Sequence, residues 1–207
     1  MRALAELPLP DLVVTAASPD QAHAPALDDH AMILAARRGD RASMRAIYEA
    51  EAPSLVRRLR HLTGDLGLAQ DLAHDVFVVA FSGRAAFAGG ASLSTWLHGI
   101  ALNKWRNDQR KSKRRLALIA TRPAPEDRGR DASETVEVDD LQRRLDAALA
   151  ELPPTLREAF VLRVLEALPL HEAAQLAGVS QSTMSKRAHK AEPLVRAALE
   201  STEEGRR

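Results

Sequence analysis

The sequence predicts an all-α protein made of two small helical domains joined by a flexible linker. Three observations carry this. Apolar residues recur at helical spacing along most of the chain, no stretch alternates apolar and polar over a useful strand length, and an interval rich in proline, glycine and charge divides the chain without periodicity. Of 207 residues 45% are hydrophobic, enough for two small cores, and with only 3% aromatic those cores must be mainly aliphatic. The absence of cysteine excludes a disulfide scaffold and a thiolate metal site. No apolar run approaches bilayer length, and the start lacks a cationic segment followed by an apolar block, so a soluble cytoplasmic protein is expected.

Residues 1 to 27 combine scattered prolines with many alanines and read as a disordered N-terminal extension. Order is expected from Asp28, with a first helix to Arg38 that Gly39 ends. Asp40 is placed to cap a second helix carrying Met44, Ile47 and Tyr48. After Pro53 the stripe Leu55, Leu59, Leu62 continues, and Gly64 and Gly67 punctuate the chain. Leu68, Leu72, Val76 and Val79 mark the next helix, followed by a loop at Gly89 and Gly90. Ser94 is the expected cap of a last helix in this half, whose Trp96, Leu97, Ile100 and Ala101 face inward.

The first domain is thus expected over residues 28–115 and a linker over 116–138, in a stretch from Ser112 to Val138 that has the composition of a solvated connector. The second domain spans 139–200, with a short tail at 201–207. Leu141, Leu145 and Leu149 give one helix, stopped at Pro153 and Pro154, and Phe160, Val161, Val164 and Leu165 give another. A helix-turn-helix completes it: Gly178 supplies positive φ, Val179 fills the angle and Ser180 caps the following helix. On that helix Met184, Ala188 and Ala191 share the inner side. Gln181, Ser182, Thr183, Ser185, Lys186, Arg187, His189 and Lys190 are the candidates for reading duplex DNA, small hydroxyls suiting base edges and cations suiting phosphates. A proline at 193 is expected to kink or end this helix.

A formal net charge of +1 conceals segregation, and local charge is what DNA meets. Lys104, Arg106, Arg110, Lys111, Lys113, Arg114 and Arg115 face only Asp108, while acid gathers between Glu126 and Asp140. Trp105 lies among the cations and reads two ways: as a platform for an unpaired base, or as a core residue at a cationic helix end. Asp71, His74 and Asp75 form an acidic helical face suited to a basic protein partner, and no further ligand supports a metal there. No cofactor is implied. No phosphate loop and no nucleophile set support an enzyme.

Several residues in this order resemble the sigma factors of bacterial RNA polymerase, of the sigma-70 family and the extracytoplasmic-function type, over about residues 30 to 199. They are Asp71-Leu72 with Asp75-Val76-Phe77; Trp96-Leu97 with Ile100-Ala101 and Asn103; and Leu152-Pro153 followed by Glu172, Ala174, Gly178, Ser180, Thr183 and Arg187. The resemblance implies that region two binds core RNA polymerase through Asp71, His74, Asp75 and Val78. It also implies that Phe87, Ser92, Ser94, Asn103, Lys104, Trp105, Arg106, Arg110 and Lys111 capture and open the −10 element of promoter DNA. Region four would read the −35 element as duplex, and an anti-sigma factor becomes a reasonable partner. The chain departs from the family pattern at His74, where Gln is usual, at Asn107 for Asp, Ala173 for Ile, and Pro169 for a capping hydroxyl. Two other readings of the same residues are an operator-binding helix-turn-helix regulator and a sigma-like module that titrates an anti-sigma partner.

Overall fold

In the computed structural model, residues 27–89, 91–119 and 138–204 are described, and among them every regular element is helical. The first half comprises α1 (Leu27–Arg37), α2 (Arg41–Thr63), α3 (Leu66–Phe81) and α4 (Leu93–Ile119). The second comprises α5 (Val138–Glu151), α6 (Pro154–Phe160) continued by one π turn (Val161–Leu165), α7 (Leu170–Ala177) and α8 (Gln181–Glu204).

Local chemistry sets most boundaries. The Asp40 carboxylate accepts the Ser43 amide at 3.0 Å and starts α2, which ends at Gly64 with φ 74°. Asp65 caps α3 in the same way through the Leu68 amide at 2.8 Å. The start of α4 differs from expectation. Ser92, not Ser94, accepts the Thr95 amide at 3.1 Å, so α4 opens at Leu93. A long-range group reinforces it: Asp29, only 2% exposed, accepts the Leu93 amide at 2.8 Å, placing an α1 carboxylate at the N-terminal end of α4.

Two prolines lie inside helices. Pro53 and Pro193 are solvent-exposed, and each removes one backbone donor, yet α2 and α8 run on. Flanking burial holds the register: Ala52 and Leu55 in α2, and Ala191 and Val195 in α8, are 0–8% exposed. The expected break at 193 is therefore corrected. The basic end of α4 also remains helical to Ile119, so residues 116–119 belong to a helix and not to the connector. Likewise Ser201–Glu204 extend α8. The expected disordered extension lies outside the described residues up to 26, as do most of the linker (120–137) and residues 205–207 of the tail.

One continuous hydrophobic cluster runs through both halves, and in the first it includes Ile33, Ile47, Leu55, Leu59, Val76, Leu97 and Leu102. In the second, Leu149, Leu162, Ala173 and Met184 are fully buried, with α6 and α7 packed on α8. The halves also pack directly on each other, α2 against α5 and the π turn, and α4 against α7.

His98 of α4 is 5% exposed, with Nε2 3.4 Å from Ser54 Oγ. Burial, then the charges of Arg58 and Arg57, hold its pKa well below the usual 6.5. The unfolded chain takes up this proton near pH 6.5 and the native chain does not, so His98 contributes full stability above that pH and loses it as pH falls. Melting temperature is expected to drop between pH 7.5 and 5.5 in the native protein. In the His98→Phe variant the drop should be visibly shallower; equal slopes would remove His98 from the account.

Candidate nucleic-acid and protein-docking interface

The recognition helix is built as its residues require. Gly178 takes φ 65° and closes α7, its amide bonding back to Gln175 O at 3.1 Å. Ser180 Oγ accepts the Thr183 amide at 3.2 Å and so starts α8. Met184, Ala188 and Ala191 turn inward at 0–6% exposure. Gln181, Ser182, Ser185, Lys186, His189 and Lys190 are exposed on the outer surface, and Thr183 and Arg187 are half-buried at its margin. Hydroxyls in the first turn followed by cations give a face that can donate to base edges and phosphates.

On α3 the side chains of Asp71, His74, Asp75 and Val78 are exposed, Val78 at 45%. Tyr48 of α2, 51% exposed, lies against Phe77 with ring centroids 4.9 Å apart, so an apolar margin borders the acids. This margin was missed in the sequence, because Tyr48 reads there as one more stripe residue. Lys104 of α4 reaches Asp75 Oδ2 at 3.0 Å and links the acidic face to the basic one. Between them lies a groove of about 480 Å³ lined by Leu72, Asp75, Lys104, Asn107, Asp108, Arg110, Lys111 and Arg114.

The remaining candidates on and before α4 divide into four groups. Asn103, Arg110 and Lys111 are exposed, and Arg110 donates to Asn107 Oδ1 at 3.3 Å. Phe87 and Trp105 are interior. Phe87 is 7% exposed against Trp96, with ring centroids 5.2 Å apart, and Trp105 is 1% exposed with Nε1 meeting no acceptor among the described residues. Trp105 thus takes the core alternative in this conformation and does not offer its face to a base. Ser92 and Ser94 are half-buried at the head of α4, Ser92 being committed to its cap. Trp96 donates to Ala86 O at 2.8 Å, and Arg37 lies 5.6 Å over its ring while donating to Ala80 O and Ala85 O. These contacts fix the loop that carries Phe87.

Arg106 is already engaged. It donates to Ala177 O at 2.7 Å and forms an ion pair with Glu158, a residue 3% exposed on α6. Burial raises the Glu158 pKa, and Arg106 opposes the rise. No group of three or more metal-binding side chains occurs among the described residues, and no helix there is long and apolar enough to cross a membrane.

Two family models match this chain: sigma-70 region 2 over residues 47–115 and sigma-70 region 4 over residues 142–192. Among curated proteins, the RNA polymerase sigma factor YlaC of Bacillus subtilis is 31% identical over 71% of this chain and 84% of its own. CarQ, an RNA polymerase sigma factor of Myxococcus xanthus, is 30% identical over 74% and 87%. Among solved structures, the sigma factor RpoE of Bartonella quintana, in complex with the anti-sigma factor NepR, superposes with a TM-score of 0.60 at 22% identity. The match covers 75% of this chain and 96% of that one.

Proposed function

Because this chain belongs to the sigma-70 family of RNA polymerase sigma factors, in its extracytoplasmic-function type, we propose how its surfaces divide the work of promoter-specific initiation. The protein binds core RNA polymerase and directs it to promoters. Asp71, His74, Asp75 and Val78 form the polymerase-docking surface, where the carboxylates meet basic groups and Val78 with Tyr48 supplies apolar contact. The outer face of α8 reads the −35 element as duplex. Asn103, Lys104, Arg106, Arg110 and Lys111 hold the backbone of the opened −10 element, and the loop around Phe87 to Ser94 accepts an extruded base. Phosphoryl transfer belongs to the polymerase, so this chain supplies no catalytic group and needs no cofactor. It works in the cytoplasm, where polymerase and chromosome are, and an anti-sigma factor is its proposed inhibitor.

One observation carries this reading: a capped helix with exposed hydroxyls and cations shares a chain with an acidic, partly apolar helix face that would repel DNA. A simple operator binder has no use for the second surface. The test is transcription from fragmented genomic DNA by core polymerase with and without the protein, with start sites mapped by sequencing. Protein-dependent starts sharing two upstream sequence blocks are expected. With Lys186 and His189 changed to Ala, the upstream block should lose definition while the downstream block persists. No added starts, from a core shown active with another sigma factor, would overturn the reading.

A further inference from the structure

The segment between α3 and α4 holds its shape without a backbone ladder. Among the described residues, no backbone-to-backbone hydrogen bond begins or ends at residues 83–89. Side chains from outside the segment supply the ties. Arg37 of α1, half-buried, donates from Nε to Ala80 O at 3.0 Å, a carbonyl in the last turn of α3, and from Nη2 to Ala85 O at 2.6 Å. Its guanidinium lies 5.6 Å from the centroid of the Trp96 ring, whose Nε1 donates to Ala86 O at 2.8 Å. Phe87 sits between His30 and Trp96, with ring centroids 5.9 and 5.2 Å away. With Asp29 on the Leu93 amide, α1 thus reaches this connection at its start, middle and end.

The composition of the segment decides how it can recognise anything. From Ala85 to Gly89 it reads Ala-Ala-Phe-Ala-Gly, so no side chain there has a hydrogen-bonding atom. Phe87, 7% exposed, turns its ring to the interior. Hydrogen bonds from this stretch to a base must therefore come from main-chain amides and carbonyls. Main-chain groups cannot swing to find a partner as a side chain can, because their directions follow from the dihedral angles of the chain. Discrimination by such a surface is only as good as the ties that hold its backbone.

Arg37 is built for that task. Its rigid fork spans two carbonyls five residues apart in sequence while its flat face rests on an indole, and a lysine, with one ammonium and no plane, cannot do both. We infer that Arg37 is a positioning residue for specificity at the downstream promoter element: through Ala80 O, Ala85 O and Trp96 it fixes a main-chain surface, Ala85 to Gly89, that discriminates the extruded base. It acts through the loop and not by touching the base. The inference rests on the capture of that base by this loop, as proposed above, but the hold of Arg37 on the loop is a property of the free protein.

The test has two arms, both on the full chain. The sequence holds two tryptophans, so in a Trp105→Phe background the fluorescence of the free protein reports on Trp96 alone. There Arg37→Lys should shift the emission to longer wavelength and raise its quenching by acrylamide, while Arg38→Lys, the same exchange at the exposed neighbour, should do neither. In the second arm native Trp105 is kept, and core polymerase transcribes a promoter library with the upstream block fixed and the downstream block randomised. Arg37→Lys should narrow the spread of activity among downstream sequences by about tenfold, with upstream preference and core affinity as in the native protein. A chain that is merely less stable would lose output on every sequence alike. If Arg37→Lys fails to fold, Trp96→Phe, which removes the bond to Ala86 O and keeps a ring, should narrow the spread in the same direction, and an unchanged spread would overturn the inference. An unmoved Trp96 emission would overturn the hold of Arg37 on the loop, as would equal shifts from Arg38→Lys. A moved emission with intact downstream preference would overturn the positioning role alone, whereas a native protein that adds no starts would sink the promoter reading and the inference with it.

Discussion

Asp71→Lys with Asp75→Lys is expected to lower affinity for core polymerase at least about 100-fold, a change of about 3 kcal/mol. The two carboxylates are one helical turn apart and exposed, so reversal replaces two attractions with two repulsions on a single face. The fold should survive. Asp71 is exposed, and the Lys104–Asp75 pair, with side chains 30% and 54% exposed, is screened by solvent and contributes no more than about 1 kcal/mol. Binding measured by competition with another sigma factor, beside a thermal melt of the free variant, separates the two effects. The loss should also shrink at high salt. Unchanged affinity with an intact melt would remove α3 from the docking surface.

The largest stability effect is expected at Trp105. It is 1% exposed in the core of the first half, and truncation to Ala should cost about 3–5 kcal/mol, much of the stability of an ordinary domain. Trp105→Phe is the informative partner. It keeps most of the apolar volume and removes a buried N–H that meets no acceptor among the described residues, so its cost should stay below about 1.5 kcal/mol. Denaturant unfolding measures both. Promoter opening by the Phe variant then bears on the other role considered for this ring. Opening at the native rate leaves Trp105 as a packing residue, and a loss despite a stable fold would mean that the ring emerges to stack on a base once DNA is bound.

These two positions show what a sequence can and cannot carry. Asp40, Gly64, Gly178 and Ser180 were legible because a cap or a left-handed turn is decided within four residues. The inward face of α8 was legible for the same reason, its period being local. Trp105 was ambiguous because cations in adjacent positions point away from it on a helix, and sequence proximity says nothing about which side is buried. Pro193 misled because a proline's cost is local while the burial of Ala191 and Val195 that outweighs it is tertiary. The pairs Arg58–Glu166 and Arg106–Glu158, separated by 108 and 52 residues, had no signature at all. Each of these charges reads alone as an ordinary solvated side chain.

The Asp29 carboxylate on the Leu93 amide ties residues 64 positions apart, and that span has a meaning for how the chain is made. A ribosome adds about 5–20 residues each second, so the amide that Asp29 accepts is synthesised roughly 3–13 s after it. Through that interval the α4 amide that the Asp29 carboxylate accepts in the finished protein does not yet exist, and this tertiary cap of α4 forms only once both have been made. The start of α4 is therefore the part of the front half that gains its cap last. Nascent chains arrested before residue 93 should leave α1 open to protease, and chains arrested well beyond it should not.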